Sequence, residues 1–158
     1  MSNAISPRPR QVGAKRHFVI VASQFNAQYV QGLVTHATEE LRSIASAASL
    51  TLHQVPGAFE IPVVVREVAG LEKPDAIIAM AVILKGQTQH AENLSRAVTD
   101  ALQRIAVSQR VPVINVVLSV DDEQQARERC LENQINRGTE AAHAAVDIAN
   151  VMSKLRSK

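Results

Sequence analysis

Two stretches of this 158-residue chain, 75–84 (DAIIAMAVIL) and 111–120 (VPVINVVLSV), are apolar almost without interruption. A surface helix would admit polar residues over most of its circumference, and a half-exposed strand would admit one at every second position. Segments this short with no polar face read instead as strands buried on both sides, the condition met in a parallel sheet covered by helices. The first of them is the most apolar part of the chain and is expected at the centre of the sheet. Pro112 stands at the entry of the second, where a missing N–H is tolerated. Two further strands are read at 17–22, a short apolar run, and at 50–55, which alternates in part and is closed by Pro56-Gly57.

The intervening segments carry a helical period. Over 29–44, Val30, Leu33, Val34, Ala37, Leu41 and Ile44 share one face, with Thr38, Glu39 and Arg42 outside. Residues 60–69 read as a short helix with Pro62 in its first turn; the β-branched Ile61, Val63, Val64, Val65 and Val68 make a strand the rival, against which stand the early proline and Arg66-Glu67. Leu94, Val98, Ala101, Leu102 and Ile105 mark a long amphipathic helix opening near residue 90. Asp121 and Asp122 followed by Gln124 and Gln125 resemble a capping box and open a helix to about residue 131. Residues 133–138 break it, and 139 to about 155 form the last helix. The predicted fold class is α/β: a three-layer α/β/α sandwich around a four-stranded parallel sheet, wound right-handed. Residues 1–15 carry Ser, Asn, Pro and Arg without period and are expected to be a flexible N-terminal arm, leaving 16–158 as one domain.

Charge and composition exclude several roles. The sequence pI near 9.0 is misleading. Arg8, Arg10, Lys15, Arg16, Lys154, Arg156 and Lys158 lie in the arm and tail; without those seven of the 17 basic residues, 10 remain against 15 acidic ones. The folded part is thus net negative, and a nucleic-acid reader is not expected. All four aromatics, Phe18, Phe25, Tyr29 and Phe59, fall in the first 60 residues, so the core is built from aliphatic side chains. The single Cys130 permits no internal disulfide and Cys–His zinc spacing is absent, which fits a reducing cytoplasm. No apolar run approaches the roughly 20 residues that cross a bilayer, and no signal-peptide core is seen.

Ligands of such sheets bind at the carboxyl edge of the strands. Three polar, turn-like segments follow strands there: Ser23-Gln24-Phe25-Asn26, Val55-Pro56-Gly57-Ala58-Phe59-Glu60, and Lys85-Gly86-Gln87-Thr88-Gln89-His90. The last places a glycine turn ahead of a helix whose first N–H groups are unpaired, a setting that suits a phosphate. His90 falls in the first helical turn, beside that anion site, as a candidate proton carrier. Phe25 and Phe59 each stand by a polar residue and suit a flat ligand, although both also fit hydrophobic staples fixing helix entry. Taken singly, His90 reads as a solvated histidine, Thr88 as an N-cap, Glu60 as an acidic residue at a helix start, and Arg129 and Arg137 as solvent-facing charges.

Together these segments resemble the lumazine synthase family, from about residue 17 to residue 150. Gly57-Ala58-Phe59-Glu60-Ile61-Pro62 matches the family's GAFEIP motif in full; Phe25-Asn26 is similar to its RFN signature, with Gln24 for Arg; residues 82–90 resemble its VIRGxTxH loop, with Lys85 for Arg. Pro112-Val113-Ile114, Glu128-Arg129 and Asn136-Arg137-Gly138 match the later pattern. The resemblance implies condensation of 5-amino-6-ribitylaminouracil with 3,4-dihydroxy-2-butanone 4-phosphate to 6,7-dimethyl-8-ribityllumazine, with release of phosphate and water, and no metal or organic cofactor. It implies that Phe25 stacks on the pyrimidine with Asn26 beside it. Ala58, Phe59, Glu60 and Ile61, with Val82, Ile83 and Leu84, would hold the ring edge and ribityl chain. Gly86, Gln87 and Thr88 would take the phosphate, Arg129 of an adjacent subunit would pair with it, and His90 would move protons.

Asn115 stands where the family commonly carries a large apolar residue against the pyrimidine, and Arg137 replaces its lysine. An active enzyme with weakened pyrimidine affinity is therefore expected. The resemblance also implies a homo-oligomer with sites at subunit interfaces, with the arm pairing on a neighbour's sheet. Residues 130–135 lack the family's frequent Gly-rich turn, which favours a free pentamer over a larger shell. Two rivals stand beside this reading: a non-catalytic lumazine- or flavin-binding paralogue, and, on fold alone, a flavodoxin-like domain, whose Ser/Thr-rich phosphate loop after the first strand is missing here.

Overall fold

In the computed structural model, which describes residues 3–5, 7–9, 14–86 and 88–157, one parallel sheet is built from β1 (His17–Ser23), β2 (Ser49–Val55), β3 (Ala76–Leu84) and β4 (Val113–Val120). Their order is β2-β1-β3-β4. The chain thus moves from β1 to one side for β2, then crosses back over β1 to lay down β3 and β4. This reversal creates a topological switch point between β1 and β3, at the carboxyl edge where ligands of open α/β sheets bind. Pairing differs on the two sides of that point. β1 matches β2 throughout, from His17↔Ser49 to Ser23↔Val55, whereas β1 and β3 pair only from Phe18↔Ala76 to Ala22↔Met80. Beyond Met80 the two strands separate while β3 stays paired with β4 as far as Leu84↔Val120.

Among the described residues five α-helices cover the sheet: α1 (Ala27–Ile44), α2 (Ile61–Leu71), α3 (His90–Gln109), α4 (Glu123–Cys130) and α5 (Arg137–Arg156). The two-residue strand period sorts the core. Phe18, Ile20 and Ala22 with Ala76, Ile78, Met80 and Val82 face α1, α4 and α5; Val19 and Val21 with Ile77, Ala79, Ala81 and Ile83 face α2 and α3. The expected three-layer α/β/α sandwich is therefore the observed fold; β3 has both faces covered, whereas the outer strand β4 is only partly covered and leaves Asn115 exposed. Among the described residues no helix is long and apolar enough to cross a membrane.

Helix wins over strand at residues 61–71. Pro62 occupies the start of α2, and Ile61, Val65 and Val68 pack on the sheet while Val63 stays exposed. A 3-10 turn over Ala58–Glu60 precedes it. β4 begins at Val113 rather than 111, because Pro112 has no N–H for the ladder; its carbonyl still accepts from Ile77 N at 2.9 Å. The capping box at α4 is shared between neighbours: Asp122 Oδ1 accepts from Gln125 N (2.8 Å), but Gln125 Oε1 accepts from Asp121 N (3.0 Å). The last helix starts two residues earlier than the sequence period indicates. Asn136 Oδ1 accepts from both Gly138 N (2.9 Å) and Thr139 N (3.2 Å), so Gly138 lies in the first turn of α5 instead of in the break.

α1 and α5 approach closely through small residues, Ala37 on one and Ala141, Ala142, Ala145 and Ala149 on the other. At the tight end Gly138 lies against the Leu33 carbonyl, and Gly32 lies against the Cys130 carbonyl of α4. Cys130 itself is fully buried, and that burial pushes its thiol up to about 12 despite the nearby Arg129 guanidinium. The native protein should therefore give almost no thiol titre with a disulfide exchange reagent at pH 8, and one equivalent after unfolding; rapid native labelling would contradict this burial. Within the arm, Arg8 bonds to Glu40 (2.6 Å) and Ser43 (2.5 Å) of α1. Part of residues 1–15, on which the expected flexible arm falls, lies outside the described residues.

Candidate active site

The gap that opens between β1 and β3 beyond Met80 is bridged by one side chain. Asn26 follows β1 in the left-handed conformation (φ 55°, ψ 47°), which asparagine tolerates better than most residues. This geometry turns its amide across the switch point, where Nδ2 donates to Val82 O at 2.7 Å. Gln24 N donates to Val55 O (2.7 Å), so the same turn is tied to the end of β2. Three chain segments distant in sequence are thereby held at one edge.

Between them lies a groove of about 820 Å³, lined by Ser23, Phe25 and Asn26, by Gly57 to Glu60, by the β3 end from Ala81 to Leu84, and by His90, Ala91 and Leu94 of α3. Its size and apolar walls suit a small organic ligand. Phe25 is 71% exposed and Phe59 72% exposed. Staples would be packed against their helices, so the staple reading of these rings fails. Two large exposed rings on one groove are what a flat ligand would cover.

His90 is the first residue of α3; Gln89 occupies the N-cap and makes no side-chain cap bond, and Thr88 precedes it. Among the described residues the first N–H groups of α3 therefore receive no side-chain cap, a setting that suits an anion. Gly86, Thr88 and Gln89 line a second groove of about 690 Å³, which continues along α3 past Glu92, Ser95 and Arg96. Its cations are engaged: Lys85 Nζ meets Asp121 Oδ1 at 2.8 Å and Arg96 meets Glu92 at 3.0 Å. Lys85, first, and Gln125 bond to the Asp121 carboxyl and hold it below the usual carboxylate range.

Of the residues singled out in the sequence, Phe25, Asn26, Ala58, Phe59, Glu60, Val82, Ile83, Leu84 and His90 converge on the first groove, and Gly86 and Thr88 border the second. Gln87 lies outside the described residues. Ile61 differs: its side chain is wholly in the core beneath α2, so only its backbone could meet a ligand. Three others do not line either groove of this chain. Asn115 lies on the outer strand β4, its Oδ1 accepting from Val117 N (3.0 Å) and its Nδ2 directed at Thr99 (3.5 Å). Arg129 is nearly buried on α4, near Glu128 (3.5 Å), with its Nε unpartnered among the described residues. Arg137 pairs with Glu140 at the start of α5. Ser23, Gly57, Ala81, Ala91 and Leu94 line the groove without having been named as site residues; the spacing of Ala91 and Leu94 from His90 was the available signal. Among the described residues no group of three or more His, Cys, Asp or Glu side chains is placed to hold a metal ion.

Residues 15–153 match the family model of 6,7-dimethyl-8-ribityllumazine synthase. The chain is similar to a curated relative, the 6,7-dimethyl-8-ribityllumazine synthase of Azoarcus sp. (strain BH72), with 36% identity over 138 residues, which covers 87% of this chain and 86% of the relative.

Proposed function

The chain belongs to the 6,7-dimethyl-8-ribityllumazine synthase family, and from that membership we propose that the groove at the β1/β3 switch point is its active site. The protein is a transferase of riboflavin biosynthesis, condensing 5-amino-6-ribitylaminouracil with 3,4-dihydroxy-2-butanone 4-phosphate to 6,7-dimethyl-8-ribityllumazine. The observation that carries the site assignment is the convergence of two exposed aromatic rings, an imidazole and an uncapped helix start on one edge.

In this reading the pyrimidine lies on Phe25. The amide of Asn26 is held by Val82 O, which leaves its Oδ1 to meet the ring's N–H groups. The ladder from β1 to β3 ends at Met80, and beyond it Asn26 takes Val82 O, so the Val82 N–H on that side is left for the ring edge. Phe59 and Glu60 take the ribityl chain, Ile61 contributing through its backbone. Gly86, Gln87 and Thr88 take the phosphate. The 5-amino group attacks the ketone and water leaves as the imine forms; a proton is then lost from carbon as phosphate departs. The ribitylamino nitrogen closes the second ring with loss of another water. His90 stands where it can pass protons in these steps, and holding both substrates together supplies much of the remaining gain.

A phosphate dianion needs cations, and those of this chain's own grooves are paired with carboxylates. This supports sites completed by Arg129, Arg137 and Asn115 of a second copy. The enzyme acts on small molecules as a homo-oligomer; we propose a pentamer, with the N-terminal arm reaching a neighbour's sheet, in the cytoplasm. The test is a pair of substitutions. Phe25→Ala should raise the KM for the pyrimidine about 2- to 10-fold, the worth of one aromatic contact. Asn115→Phe should lower it by a similar factor. Steady-state kinetics with the phosphate substrate saturating checks both, and no change in Phe25→Ala removes the groove from consideration.

A further inference from the structure

Lys85 and Asp121 are the first residues to leave β3 and β4, side by side, beyond the last register pair Leu84↔Val120. Lys85 N extends the ladder by one bond, to Val120 O at 2.9 Å. Its ammonium then reaches Asp121 Oδ1 at 2.8 Å. Asp121 is itself immobilised, since Gln125 donates to Oδ2 (3.0 Å) and accepts from the Asp121 N–H (3.0 Å). Gln125 is in turn bonded through its own N–H to the N-cap Asp122 (2.8 Å). The rigid first turn of α4 thus holds Lys85 in place. Downstream, a Cβ on Gly86 would meet nothing within 4 Å, and Gln89 makes no capping bond. Among the described residues of 85–89, Lys85 carries the only side-chain hydrogen bond to another element.

We propose that the Lys85–Asp121 pair is a latch that positions Gly86 and Thr88 for the phosphate-bearing substrate, with Lys85 a positioning residue rather than a phosphate ligand. The proposal rests on the reading of that turn as the phosphate site. More than half of each side chain is exposed (54% and 58%), so the pair contributes little to global stability. What it restricts is the path of the backbone leaving β3 at Lys85, an ordering that binding would otherwise have to supply.

The alternative, Lys85 as a direct phosphate ligand for which Asp121 competes, predicts the opposite sign in one variant. With a latch, Lys85→Met and Asp121→Asn each raise the KM for the butanone phosphate about fivefold. The double variant is no worse than either single one, Lys85→Arg restores the wild-type value, and the KM for the pyrimidine is unchanged. Competitive inhibition by inorganic phosphate weakens in parallel. A lowered KM in Asp121→Asn, or additive losses in the double variant, would overturn the latch. Thr88→Val separates this failure from failure of the underlying site. If Thr88→Val weakens phosphate inhibition but the latch variants do not, the latch alone is wrong; if Thr88→Val also has no effect, the turn is not the phosphate site and the proposal falls with it.

Discussion

His90→Ala should lower kcat by about 10²- to 10⁴-fold, the usual worth of a positioned proton carrier, while leaving the KM of each substrate within a few-fold of its original value. Among the described residues the groove walls offer two titratable side chains, Glu60 and His90. His90 is the imidazole of the two, the side-chain type most used to pass protons in catalysis. It begins α3, next to the turn assigned to phosphate, so that the leaving group and the proton carrier share one helix start. Activity should fall without vanishing, because binding both amines and the ketone in one groove persists in the variant. Lumazine formation followed under steady-state conditions, with phosphate release measured in parallel, reads the effect directly. An unchanged kcat would exclude His90 from proton transfer; a loss confined to KM would make it a binding group.

The second large effect is on folding. Gly138→Ala should destabilise the protein by about 1–3 kcal/mol, seen as a fall in Tm of roughly 2–12 °C at about 2–4 °C per kcal/mol for a chain of this size. A Cβ at Gly138 would fall on the Leu33 carbonyl of α1, a backbone atom that cannot swing away as a side chain would. Relief requires α5 to back away from α1 over the Ala141, Ala142 and Ala145 contact, opening space in the largest buried cluster. Gly86→Ala supplies the comparison, since the same added methyl would meet nothing within 4 Å. Thermal unfolding of the two variants should separate them clearly. Equal Tm values would show that α1 and α5 have room to adjust.

Those two glycines show where a sequence stops being readable. Both follow polar or charged residues near a helix start, and both look like turn glycines. One borders open solvent, and the other marks the closest approach of two helices. The difference lies in Leu33, more than a hundred positions from Gly138 along the chain. The Phe25 and Phe59 alternatives divide the same way: staple and ligand platform share one local pattern, and only the exposure of both rings decides between them. Ile61, part of a fully matching motif, has its side chain in the core because it begins the inward face of α2.

What the sequence determined by itself was whatever burial writes into nearest neighbours. Unbroken apolar runs demanded strands covered on both faces, helical spacing supplied the covering layers, and motif residues at the strand ends pointed to the carboxyl edge and to the family. What the tertiary structure decided was every relation across the switch point: Asn26 bonded to Val82 O, Lys85 paired with Asp121, and His90 sharing a groove with Phe25 and Phe59. Hydrophobic periodicity is a local signal, because each side chain answers only to the face it stands on. A site is made where strands part, and which strands are neighbours is set by the order β2-β1-β3-β4, which no local pattern carries.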